Sequence, residues 1–136
     1  MISPASGQPQ LCGQIVLIAE PNPLIALDLA AQLSVWGAQP LLYYDLDGPA
    51  QLTAATGAQA ALIDVPLDCE PLSGVIAALM QHGVPTALTT AGGAADLGGR
   101  FPGLHVFDKP VDYLALAQWL CAAVPSARIT EQSGSA

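Results

Sequence analysis

Short apolar runs alternate with helical patterns along this chain. Ile15–Ala19 (IVLIA) is apolar throughout, the pattern of a strand buried on both faces. Asn22 and Pro23 then supply an N-cap and a proline at the first helical position. In the helix they open, Ile25, Leu29, Leu33 and Trp36 share one face and Asp28 and Gln32 another, and Gly37 ends it. Pro40–Tyr44 reads as a second strand, and a weaker helix covers about Pro49–Ala55. Ala60–Val65 is a third strand with Asp64 near its end. Leu72–Gln81 is a helix closed by Gly83. Pro85–Thr90 is a fourth strand, less apolar than the others. Residues 91–103 are rich in Gly and Ala and support only a short, poor helix. Leu104–Phe107 is a fifth strand. Asp112 can cap a last helix in which Tyr113, Leu116, Leu120 and Val124 share a face.

Five strands alternating with helices predict an α/β fold, a doubly wound parallel sheet with helices on both faces. The pattern runs over residues 14–124. Residues 1–13 read as a flexible N-terminal arm and 125–136 as a flexible C-terminal tail, and no internal repeat is visible. In open parallel sheets the working site lies beyond the carboxyl ends of the strands. Polar residues there are the first to weigh.

Composition narrows the chemistry. The chain has 136 residues, 52% of them hydrophobic and 10% charged, enough apolar content for one packed core. Eleven acids stand against three bases, Arg100, Lys109 and Arg128, for a net charge of −8. Three scattered bases make no phosphate-neutralising patch, which excludes nucleic acid and disfavours anionic membrane surfaces. No apolar run reaches the ~20 residues of a membrane span, and the N-terminus has no basic or apolar signal region, so a cytoplasmic location is expected. Cys12, Cys69 and Cys121 have no metal-ligand spacing and read as incidental thiols. His82 and His105 read as structural, and Trp36 and Trp119 as packing residues.

At the predicted strand ends stand Glu20, Asp64, Thr90 and Lys109, the only lysine in the chain. Each has a plainer reading. Asp64 could accept backbone hydrogen bonds at a loop start, Glu20 could serve the dipole of the next helix, Thr90 could be a turn residue and Lys109 a surface lysine. Taken in order, however, the stretches IVLIAEPNPLIALDLAAQL, AALIDVPL, PTALTTAGG and VFDKPVDYLALAQWL resemble the receiver domains of bacterial response regulators. The likeness spans about residues 14 to 124. PTALTTAGG is also similar to a Pro-Phe-x-Phe-Ala-Thr-Gly-Tyr-like motif of a single-domain subgroup common in alphaproteobacteria.

The resemblance implies a flavodoxin-like sheet of strand order 2-1-3-4-5 and a role for each residue. Asp64 would be the phosphoacceptor, attacking phosphohistidine on a kinase to form an acyl phosphate. Glu20, Asp64 and the backbone carbonyl of Pro66 would hold Mg²⁺, needed because carboxylate and phosphoryl group are both anionic. The Thr90 hydroxyl would bond a phosphoryl oxygen and move on activation. Lys109 would pair with Asp64 and then with the phosphoryl group, and the Lys109–Pro110 bond would be cis.

Four departures accompany the likeness. Pro21 stands where the family has its second metal-binding acid, so a weakened Mg²⁺ site is expected. Val106 replaces an aromatic whose rotamer reports activation. Gly92 takes the place of the subgroup's aromatic, and the Gly-rich segment at 91–103 is short where the family builds part of its output face.

The implied function is that of a single-domain response regulator in a two-component phosphorelay. It would take a phosphoryl group from a histidine kinase or phosphotransfer protein and signal by binding a downstream protein, without being an enzyme. A homodimer through an apolar region from the fourth helix to the fifth strand is a further expectation. The alternative is a pseudo-receiver, the same fold kept as an interaction or dimerisation module that is not phosphorylated because of Pro21. A nucleotide-binding enzyme fits poorly. The loop Glu20-Pro21-Asn22-Pro23 carries an acid and two prolines without N–H donors where a phosphate cradle would be needed.

Overall fold

The computed structural model describes residues 11, 13–43, 57–65, 72–91, 99 and 103–123, with backbone alone for 72–75. Five strands form one sheet in the order β2-β1-β3-β4-β5: β1 Ile15–Ala19, β2 Gln39–Tyr43, β3 Ala60–Asp64, β4 Thr86–Thr90 and β5 His105–Asp108. Every pairing is parallel. The described helices are α1 Pro23–Val35, α2 Leu72–Gln81 and α3 Tyr113–Ala123. This is the expected flavodoxin-like arrangement. The helix expected at Pro49–Ala55 and the poor helix within 91–103 lie largely or wholly outside the described residues.

Alternation along the strands sends side chains to two cores. Val16, Ile18, Leu62, Ala87 and Phe107 pack with Leu29 and Leu33 of α1, with Trp36 at its C-cap, and with Leu116 and Leu120 of α3. On the other face Leu17, Ala61, Ile63 and Leu88 meet Ile76 and Leu79 of α2. Helices therefore cover both faces, which is why β1 and β3 need to be apolar at successive positions. β4 looked the least apolar in sequence, yet all five of its residues are buried. It lies between β3 and β5, and the Thr86 hydroxyl is satisfied by donating to the Val84 carbonyl at 2.9 Å.

The ends of the helices follow their sequence signals. Asn22 Oδ1 accepts from the N–H groups of Leu24 at 3.0 Å and Ile25 at 3.4 Å, and Pro23 begins α1. Asp112 caps α3 through the Ala115 N–H at 3.2 Å. Gly37 takes φ 94° after α1, and the Ala38 and Gly37 N–H groups return to the carbonyls of Leu33 and Ser34. Gly83, at φ 74°, closes α2 in the same way. Asn22→Ala should cost about 1 kcal/mol through loss of the cap. A urea midpoint unchanged from wild type would contradict this.

Leu11 departs from its sequence reading. It falls in the segment read as a loose arm, but it is fully buried against the α1 face and its N–H donates to the Trp36 carbonyl at 2.7 Å. One apolar residue among polar ones carries no periodic signal; the pocket that takes it exists only once β1 and α1 are packed. Residues 1–10, 12 and 124–136, with Cys12, Val124 and Arg128 among them, lie outside the described residues.

Candidate functional site

Parallel pairing gathers the strand ends on one rim. Ala19 is opposite Ile63, so Glu20 stands beside Asp64. Asp64 is opposite Thr89, and Thr90 is opposite Asp108, the residue before Lys109. The backbone of that rim is tied by the Val65 N–H to the Thr89 carbonyl and the Lys109 N–H to the Thr90 carbonyl, both at 2.8 Å. The Lys109–Pro110 peptide is cis, as the resemblance implied.

Lys109 is the centre of the site. From the edge strand β5 its side chain reaches across the end of β4. Its ammonium lies 2.5 Å from Asp64 Oδ1 and 2.9 Å from Glu20 Oε1, so one cation bridges two carboxylates. Glu20 is 2% exposed, and its other oxygen accepts the Asn22 N–H at 3.1 Å. A buried carboxylate needs this satisfaction, since desolvation without partners would be costly. Burial pulls the Lys109 pKa down, but the hydrogen bonds and charges of Asp64 and Glu20 outweigh it and hold the amine above its ordinary 10.5.

The structure thus brings Glu20, Asp64 and Lys109 together. The Thr89 hydroxyl donates to Asp64 Oδ1 over a long 3.4 Å. Thr89 continues the face of Ala87, as Asp64 continues that of Leu62; Thr90, one residue on, follows Leu88 and is itself buried. Only strand register, which sets Thr89 opposite Asp64, reveals this contact. Pro66 and Gly92 lie outside the described residues. Among the described residues no three His, Cys, Asp or Glu side chains cluster as a metal site.

Beside the cluster lies an open cavity of about 810 Å³ between α1 and the β5–α3 connection. Thr89 and Lys109 belong to its wall, as do Leu24 and Leu27, two leucines 78% and 54% exposed. Across it the Tyr113 hydroxyl donates to Asp28 Oδ2 at 2.5 Å and ties α3 to α1.

The sequence matches no family model and no curated protein. The fold and a solved relative are decisive. SdrG from Pseudomonas melonis Fr1, solved in its BeF3-activated conformation, is 30% identical, with a TM-score of 0.67 over 81% of this chain and 95% of its own. The chain is a response regulator receiver domain.

Two other receiver-bearing structures share the fold. The receiver domain of a modulated diguanylate cyclase from Desulfovibrio desulfuricans G20 is 23% identical, with a TM-score of 0.70 over 87% of this chain and 98% of that one. The response regulator PhyR from Brucella abortus is 20% identical, with a TM-score of 0.64 over 92% of this chain; our chain spans 54% of PhyR. In this receiver Pro21 is exposed at the rim, next to the carboxylates it fails to join. Val106, in the place of the aromatic, is half-buried against the α2-side core. His105 is exposed on β5, its ring centroid 4.3 Å from Phe107 and 6.3 Å from Trp119, a stacking role. Among the described residues no helix is long and apolar enough to cross a membrane.

Proposed function

We propose that this receiver accepts a phosphoryl group on Asp64 from the phosphohistidine of a histidine kinase or phosphotransfer protein and signals by binding a downstream protein. The observation that carries this reading is the Lys109 ammonium held between Asp64 and Glu20 at the carboxyl rim of the sheet. The Asp64 carboxylate attacks phosphorus, the P–N bond to the imidazole breaks, and an acyl phosphate forms. Lys109 offsets the charge gathered on the transferred group, the Thr89 hydroxyl already lies on Asp64, and the Thr90 hydroxyl is the expected donor to a phosphoryl oxygen. Glu20 and Asp64 suit Mg²⁺, since such an ion is commonly held by one or two carboxylates and keeps several waters. When bound it would neutralise phosphoryl charge. A carbonyl of Pro66 completes the expected set.

The exposed Leu24 and Leu27 border the cavity that shares Thr89 and Lys109 with the site, which supplies apolar surface for a phosphodonor protein next to the acceptor. SdrG, described as activated by BeF3, lends weight to phosphoryl-type activation here. The low content of basic residues favours protein over nucleic acid as the output partner, and a homodimer is one such partner. The cytoplasm is the fitting compartment for such an exchange.

Incubation with Mg²⁺ and acetyl phosphate, followed by intact mass, is the test. Wild type should gain one phosphoryl group and Asp64→Asn none. An unmodified wild type would favour a second reading, for which Pro21 speaks: a pseudo-receiver that binds its partner without phosphorylation. In that case Asp64→Ala should bind the partner as wild type does.

A further inference from the structure

We infer that Lys109 serves as the resting cation of this site, so that Mg²⁺ enters only together with a phosphoryl-like anion. The inference rests on the proposed reading of Glu20 and Asp64 as metal-binding carboxylates and adds the order of events there.

Charge balance is the main argument. Two carboxylates and one ammonium leave the cluster with a single net negative charge. A dication added alone would turn a rim with a largely buried Glu20 net positive, whereas a phosphoryl group on Asp64, carrying two negative charges where the carboxylate carried one, brings the cluster with its dication to neutrality. A second acid at position 21 would have supplied that compensation in advance; Pro21 cannot. Desolvated charges tolerate such imbalance poorly.

Occupancy is the second argument. Glu20 Oε1 is engaged by Lys109 at 2.9 Å and Oε2 by the Asn22 N–H at 3.1 Å, while Asp64 Oδ1 takes the same ammonium at 2.5 Å and the Thr89 hydroxyl at 3.4 Å. A hard cation held by both carboxylates competes with Lys109 for the oxygens it bridges. A phosphoryl group on Asp64 gives the displaced ammonium a new anionic partner, so the displacement then costs little.

Thermal unfolding of the full chain, titrated with MgCl₂ with and without beryllofluoride, tests this. Mg²⁺ alone should leave the wild-type midpoint unchanged, and beryllofluoride should tighten apparent Mg²⁺ binding by about tenfold or more. Pro21→Asp should respond to Mg²⁺ alone, as should Lys109→Gln, whose lowered midpoint Mg²⁺ should partly restore. Backbone amide NMR shifts at Glu20 and Asp64 provide a readout that does not depend on stability. A wild-type response to Mg²⁺ alone, equal with and without beryllofluoride, would overturn the inference. No response to the pair in wild type, with none in Pro21→Asp, would overturn it too, and would locate the failure in the metal-site reading itself.

Discussion

Lys109→Met is expected to destabilise the domain by about 1–3 kcal/mol, although it replaces a partly exposed side chain by an apolar one of similar length. The loss arises at its partners. Glu20 is 2% exposed and would stand beside Asp64 with no cation between them. Removing one member of a buried pair costs roughly 3–5 kcal/mol; the 20% exposure of the Lys109 side chain admits water and reduces that figure. Urea unfolding should show a lower midpoint with an unchanged slope. Glu20→Gln in the same background should recover part of the loss, because the stranded charge is gone, and a double-mutant cycle would report the coupling. The pair also has a pH signature. The Lys109 pKa is raised in the folded state, so its stabilising effect is full below the ordinary 10.5 and declines as pH rises through the higher folded value. Wild type should lose stability over that alkaline range more steeply than Lys109→Met. Equal stability of the two proteins at neutral pH would contradict the bridging role.

Leu116→Ala should be the more damaging packing change, at about 2–5 kcal/mol. Leu116 is fully buried where α3 lies on the sheet beside Phe107 and Leu120. Truncation leaves a cavity under the helix that follows the Lys109–Pro110 turn, so the position of Lys109 should loosen with it. Apparent affinity for beryllofluoride with Mg²⁺ should fall even at temperatures where the variant remains folded. Leu24→Ala is the control. Leu24 is 78% exposed, so its stability should change by no more than about 0.5 kcal/mol, while phosphotransfer from a protein donor should weaken if the α1 cavity is the donor's seat. A Leu116→Ala protein as stable as wild type would mean that the site relaxes around the smaller side chain.

Much of this architecture could be read locally. IVLIA, the Asn22-Pro23 start, Gly37 and Gly83 each encode backbone preference within a few residues, and the strand and helix bounds match within one residue wherever the structure describes them. Leu29, Leu33 and Trp36 are buried as their spacing implied, and so are Leu116 and Leu120. The strand-end rule was sufficient to select Glu20, Asp64 and Lys109, because parallel strands put all carboxyl ends on one rim. Three features escaped it. β4 is buried throughout despite its threonines, since its place inside the sheet outweighs composition. Leu11 is core although its neighbours in sequence are polar.

The third is Thr89, a rim contact beyond the four residues taken from the strand ends. Motif order pointed to Thr90 as a partner of the phosphoryl group, and the register adds Thr89, which sits opposite Asp64 and donates to it. By itself the sequence determined the alternation of elements, their caps, the sidedness of the helices and the identity of the ionisable residues at the rim, all properties of spans shorter than a helix. Tertiary structure alone decided that Lys109 binds Glu20 as well as Asp64 and that the Thr89 hydroxyl reaches Asp64. Those contacts join residues far apart in the chain, and their distances depend on strand register and side-chain reach, which no local pattern encodes.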